Sequence, residues 1–333
     1  MSSTTLKDLP NEIITKVLSY LEIRDLFFFG HLSTRTRAVS RHKILWQKVT
    51  IDNKTLATEF LKFILRNDCK FLKLTNVQIK GSLHLRKSSI LKNLSLNRCA
   101  INHRILEEFL GSCHSLTKLT LRGINVCDVN TKNLKKFVLQ NRKTLQILDL
   151  ATSKRLDLES IQIIINNLNE LKELNLHSYR YYNYKKNYFA EDVLSEESIK
   201  YIANNVTEKV EKLNLGYQRF VKDAHVMKLI PRCKRLTELN LRGTSISPNS
   251  LTCIIENLKY SLVIIRLCDT DLNLDEIAEL GAMPKLKILN CSHLLYKTGP
   301  MEHLKEKDPD FRGFTNHQIL TVVFSVLGFK FTF

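Results

Sequence analysis

The pattern L-x-x-L-x-L recurs along this chain, and it constrains the fold more than any other feature. It reads Leu91-Lys-Asn-Leu94-Ser-Leu96, then Leu116/Leu119/Leu121, Leu145/Leu148/Leu150 and Leu171/Leu174/Leu176. It continues as Val210/Leu213/Leu215, Leu236/Leu239/Leu241, Leu262/Ile265/Leu267 and Leu286/Leu289/Cys291. Looser copies stand earlier, at Cys69/Leu72/Leu74 and Trp46/Val49/Ile51. Starts at 46, 69, 91, 116, 145, 171, 210, 236, 262 and 286 leave gaps of 22 to 29 residues, with one of 39. Apolar residues at period two predict a short strand with one buried face. Between the strands the period switches to 3.6, as in Leu158/Ile161/Ile164/Ile165/Leu168 and Leu251/Ile254/Ile255/Leu258, each the apolar stripe of a helix. Ser247-Pro248 and Ser195-Glu196-Glu197 carry the matching helix-start signals.

One strand–helix unit cannot bury its apolar side alone, so neighbours stack into a curved solenoid with a parallel sheet inside and helices outside. The period is that of leucine-rich repeats. The expected fold is therefore α/β: about ten repeats over residues 49–300, with an insert at 177–196 where the long gap falls. A doubly wound enzyme fold would need a glycine-rich nucleotide loop, and neither G-x-G-x-x-G nor G-x-x-x-x-G-K-[ST] occurs.

Residues 1–48 read differently. Asp8-Leu9-Pro10-Asn11-Glu12 enters a helix with Ile13, Ile14, Val17, Leu18 and Leu21 at helical spacing. Asp25-Leu26 opens a second apolar helix through Phe27, Phe28, Phe29 and Leu32, and after Arg35, Arg37, Arg41 and Lys43 comes Leu45-Trp46. About forty residues is small for an independent core, so apolar surface seeking a partner is expected. The ordered motifs Leu9-Pro10-Asn11-Glu12-Ile13, Val17-Leu18-Ser19-Tyr20-Leu21, Asp25-Leu26 and Leu45-Trp46 resemble the F-box family. Thr36 stands where that family usually has an aromatic.

With the repeats, the likeness extends from Leu6 to about Leu295 and is greatest to the S-phase-kinase-associated F-box protein type. It implies an all-α F-box that docks on the Skp adaptor of a cullin–RING ubiquitin ligase. Carried over residue by residue, the adaptor contact falls on Leu9, Pro10, Ile13, Ile14, Leu18 and Leu21, by helix-in-groove docking.

In each repeat the residues between the leucines face the concave side. Among them Lys73, Lys118, Arg122, Lys212, Arg242 and Arg266 are basic, and Asp149, Glu173 and Glu238 acidic, a net +3 of the chain's +18. Most of the basic excess is thus expected on helices, loops and the F-box. A nucleic-acid binder concentrates charge and aromatics on one face, so a protein substrate, acidic or phosphorylated, fits better. The candidate substrate-binding residues are Lys118, Arg122, His177, Tyr181, Tyr182, Lys212, Arg242 and Arg266. The two tyrosines belong to the Tyr-rich insert, which reads either as a binding loop or as a plain polar loop.

Residues 301–333 form a tail. Its run Ile319–Leu327 fits no repeat and is too short to span a bilayer, leaving a terminal cap, a tail on the concave face or a gene-model error. Eight scattered cysteines without a C-x-x-C pair, and no apolar leader in Met1–Leu9, predict reduced thiols in cytoplasm or nucleus. H-E-x-x-H and G-x-S-x-G are absent, so no catalytic residue, metal or cofactor is expected. The reading is a substrate-recognition subunit of a Skp–cullin–F-box ligase. The alternatives are a repeat scaffold without a ubiquitin role and a basic nucleic-acid-associated repeat protein.

Overall fold

The computed structural model describes residues 8–85, 88–124, 129–153, 156–178 and 194–291, together with the strand pairs 182–183, 188–189 and 330–331. The Tyr-rich insert, apart from the antiparallel pair Tyr182–Asn183 with Tyr188–Phe189, and the tail, apart from Lys330–Phe331, lie outside the described residues. The chain forms two compact units that divide between Leu145 and Gln146.

The first unit opens with three short helices, α1 (Asn11–Leu18), α2 (Ile23–Phe29) and α3 (Thr34–Ser40). Four parallel strands follow in chain order: β1 (Lys48–Asp52), β2 (Phe71–Thr75), β3 (Asn93–Asn97) and β4 (Lys118–Arg122). Helices α4 (Thr58–Arg66) and α5 (His103–Gly111) connect within this series, and α6 (Thr131–Asn141) closes the unit. The register is strict: Lys48 pairs with Phe71, Phe71 with Asn93, and Asn93 with Lys118.

The second unit repeats the scheme with shorter strands. These are β5 (Ile147–Asp149), β6 (Glu173–Asn175), β7 (Lys212–Asn214), β8 (Glu238–Asn240), β9 (Ile264–Arg266) and β10 (Ile288–Asn290). They alternate with α7 (Leu158–Asn167), α8 (Glu196–Asn205), α9 (Asp223–Leu229), α10 (Pro248–Leu258) and α11 (Leu274–Ala278). The expected α/β repeat fold with an all-α head is therefore present.

Counted from the first residue of L-x-x-L-x-L as position 1, the apolar residues at positions 1, 4 and 6 of all ten repeats are at most 9% exposed. Truncating such a leucine costs about 2–5 kcal/mol, so the periodicity that announces the fold also holds it together. Helix caps behave as the sequence predicts: Ser247 and Ser195 each accept a first-turn N–H, with Pro248 opening α10. Asn141 at the end of α6 is fully buried. Its Oδ1 accepts the N–H of Leu116 (2.9 Å) and its Nδ2 donates to the carbonyls of Cys113 (2.8 Å) and Phe137 (2.9 Å). One amide thus pins a helix to the entry of β4.

In four repeats of the second unit the shorter strand has a side-chain cause. In four of the six repeats of the second unit position 5 is Asp149, Asn175, Asn214 or Asn240, while β9 carries Arg266 there and is equally short. In those four its side-chain oxygen accepts the N–H of position 7 at 3.0–3.1 Å, from Ala151, His177, Gly216 and Arg242. That N–H would otherwise extend the ladder, so the strand stops. In the first unit position 5 is Thr50, Lys73, Ser95 or Thr120, and the ladder runs to position 7.

Burial lifts the thiols of Cys69, Cys113 and Cys233 to about 11 and that of Cys291 to about 12. They are packing groups rather than nucleophiles.

Candidate partner-binding surfaces

The helical head is tied together by Arg35. Its Nη2 donates to the carbonyl of Leu9 (2.5 Å) and its Nε to Asn11 Oδ1 (3.0 Å), which holds the Leu9-Pro10-Asn11 entry against α3. Ser33 caps α3 by accepting the Thr36 N–H (3.1 Å), and Thr36 Oγ1 accepts the Ser33 N–H in return (2.8 Å). The residue that departs from the usual aromatic is thus one half of a capping box. The Trp46 indole N–H donates to the Ser40 carbonyl (2.8 Å), and its ring stands edge-on to Phe63 (4.8 Å) and Phe60 (6.1 Å) of α4.

Helix α1 carries two apolar stripes. Ile14 and Leu18, each 2% exposed, turn inward and form the head's core with Leu26, Val39 and Trp46. Ile13 (45% exposed) and Val17 (48%) turn outward one turn apart, and Leu21 (39%), Tyr20, Phe28 and Leu32 are exposed in the segments that follow. Ile14 and Leu18, expected from the resemblance as docking residues, are thus placed in the head's own core, since a head this small needs one full stripe for its interior. Ile13, Leu21 and Pro10 are exposed and Leu9 is half-buried, while Val17, Tyr20, Phe28 and Leu32 are further exposed apolar residues of the head. The i, i+4 spacing of Ile13 and Val17 was the signal available.

On the sheet, positions 3, 5 and 7 turn away from the leucine core. In the first unit this open face reads Lys48–Phe71–Asn93–Lys118 across one row and Thr50–Lys73–Ser95–Thr120 across the next. The third row is Asp52–Thr75–Asn97–Arg122. Lys48, Lys73 and Arg122 are exposed and Lys118 half-buried. The phenyl ring of Phe71 is also exposed, at 43%.

The open face of the second unit is internally balanced. Lys212 Nζ lies between Glu238 (2.9 Å) and Glu173 (3.3 Å), and those contacts, Glu238 foremost, hold its pKa above the usual lysine range against the cost of burial. Arg242 Nε pairs with Asp269 Oδ2 (3.2 Å), and its guanidinium stacks 5.3 Å from the Tyr217 ring. Tyr217 Oη donates to the same Asp269 carboxylate (2.5 Å), and His177 meets the Tyr217 ring edge-on at 5.4 Å. Lys212 and Arg242, assigned from sequence as substrate contacts, are thus already engaged within the fold. Arg266 is half-buried on β9, Tyr181 lies outside the described residues, and Tyr182 is described as backbone only.

Tyr217 and Asp269 escaped the sequence reading although a column marks them. Position 8 is left-handed at Asn53, Asn76, Arg98, Gly123, Thr152, Tyr217, Gly243 and Asp269, with φ between 50° and 65°. Its Asn, Asp and Gly content was the available signal. Gly243 is required twice over, since a Cβ there would lie 2.2 Å from the Tyr217 ring.

Among the described residues no group of three or more His, Cys, Asp or Glu converges to hold a metal, and no helix is long and apolar enough to cross a membrane.

Residues 6–48 match the family model of the F-box domain. The chain is similar to a solved leucine-rich repeat-containing protein, LegL7 from Legionella pneumophila, at 17% identity and TM-score 0.40, covering 72% of this chain and 73% of that one. It is also similar to the Rad7 and Elc1 complex in yeast, at 15% identity and TM-score 0.37, covering 84% of this chain and 88% of that one. With a TLR13–ssRNA13 complex it shares 18% identity at TM-score 0.41, covering 86% of this chain and 42% of that one. At these scores no property of those proteins carries over, and the repeat assignment rests on the register described above. The protein therefore carries an F-box domain at residues 6–48, followed by leucine-rich repeats.

Proposed function

We propose that this chain is a substrate-recognition subunit of a Skp–cullin–F-box ubiquitin ligase. Its F-box docks on the Skp adaptor, and the open face of its repeats holds the protein to be ubiquitinated and degraded. The observation that carries the reading is the outward pair Ile13 and Val17 on α1 of an F-box domain, with Leu21 exposed just beyond it, apolar surface without a cover among the described residues. Ubiquitin transfer itself falls to the partner subunits, because the chain contributes binding surfaces and no catalytic group.

The test is co-purification with the Skp adaptor. Ile13→Asp/Val17→Asp places two charges on the exposed stripe and leaves Ile14 and Leu18 in the core, so the variant should melt near the wild type yet recover at least tenfold less adaptor. Equal recovery by a folded variant would remove the ligase reading and leave a repeat scaffold.

A further inference from the structure

We propose that the open face of the first unit binds an acidic peptide segment of the partner protein, with Lys48, Lys73 and Lys118 arranged around the exposed ring of Phe71. This rests on the receptor reading for its biological setting, but the surface chemistry stands without it.

Charge complementarity carries the argument. Residues 1–145 hold 26 Lys and Arg against 10 Asp and Glu, a net +16, whereas residues 146–333 hold 25 against 23, a net +2. Nearly the whole basic excess thus belongs to the first unit. Among the described residues of its open face the only carboxylate is Asp52, at one corner. Lys48, Lys73 and Lys118 make no ion pair among the described residues, in contrast to Lys212 on the second unit, which is held between two glutamates. Ammonium groups left without counter-charge on a sheet face attract carboxylates over roughly a Debye length, about 8 Å at physiological salt.

The spacing selects the shape of the ligand. Lys48 and Lys118 share a row three strands apart, which at about 4.8 Å per strand is roughly 14 Å. An extended peptide rises about 3.3 Å per residue, so carboxylates four residues apart reach both lysines. Lys73 lies one row further along and meets a third acid or the peptide's C-terminal side. An apolar side chain between the acids falls over Phe71. A nucleic acid fits this face less well, because one aromatic provides no stacking track.

The probe is fluorescein-labelled decaglutamate, measured by anisotropy against the full chain. Lys48→Glu/Lys73→Glu/Lys118→Glu should weaken binding about tenfold or more. The charge-matched variant Lys228→Glu/Lys234→Glu/Arg235→Glu on the second unit should weaken it less than twofold. All six positions are surface or half-buried, and melting curves check that both variants fold. The proposal is overturned if wild type does not bind decaglutamate, if the two triple variants lose affinity equally, or if ten-residue oligo(dT) binds wild type more tightly than decaglutamate does. Adaptor co-purification with the first triple variant separates the two readings: retained adaptor with lost peptide binding supports both, while peptide binding that depends on these lysines in a chain that never recovers adaptor sinks the receptor reading alone.

Discussion

The two units are built from one repeat and put its open positions to different use. In the first, position 5 is Thr, Lys or Ser, the strands run five residues, and lysines face outward without counter-ions. In the second, Asp or Asn at position 5 folds back on its own backbone in four repeats, the strands run three residues, and basic groups sit in ion pairs with Glu173, Glu238 and Asp269. The apolar positions barely differ, because all of them must fill the same core. What separates the units is whether polar side chains satisfy each other or stay available, a choice the leucine pattern does not touch.

The largest expected effect contrasts two buried or half-buried amides. Asn141→Ala in the first unit strands the Leu116 N–H and the Cys113 carbonyl in the core and should cost about 3 kcal/mol, whereas Asn214→Ala in the second loses one turn bond and should cost about 1 kcal/mol. Denaturant titration of both variants checks this, and equal costs would mean that the single turn bonds matter as much as the buried amide.

A smaller effect concerns the left-handed column. Thr152 is β-branched at φ 58°, so Thr152→Gly should gain about 0.5–1 kcal/mol, while Asn53→Gly in the first unit should change little because Asn tolerates that conformation. Thermal melting distinguishes the two, and a loss for Thr152→Gly would show that its side chain contributes packing.

The smallest is pH dependence in the second unit. Burial, foremost, holds His225 below its ordinary value of 6.5, and its Nδ1 accepts the Lys222 N–H at the start of α9 (3.2 Å). The neutral form is favoured by folding, so this contribution is intact above pH 6.5 and lost as pH falls below it. Wild type should therefore lose more melting temperature than His225→Gln between pH 7.5 and 5.5; parallel losses would assign the acid sensitivity elsewhere.

Much of the fold was legible in the sequence because the ten repeats put apolar residues at positions whose burial is obligatory. Leu94 and Leu239 could be placed in the core without coordinates. The site was less legible. Both stripes of α1 are apolar, so periodicity could not decide that Ile14 and Leu18 turn in while Ile13 and Val17 turn out. Asn175, Asn214 and Asn240 alternate outward and read as partner-facing, yet their side-chain oxygens close turns. Lys212 and Arg242 read as available charges because the acids that neutralise them come from neighbouring strands, 26 to 39 residues away in sequence. Pairing across repeats is set by register and side-chain reach, and neither is visible within one strand.

Trp46 closes the F-box motif and also fills position 1 of the first repeat, packed on Phe60 and Phe63. No flexible tether separates the F-box helices from β1, so within the first unit the span between them is fixed by packing, as on a ruler, and not averaged by a swinging linker. On the proposed function, a substrate held on β1–β4 is presented at a set reach. Which of its lysines receives ubiquitin then becomes a matter of distance along the substrate, and inserting a few glycines after Trp46 would blur that choice before it weakened either binding event.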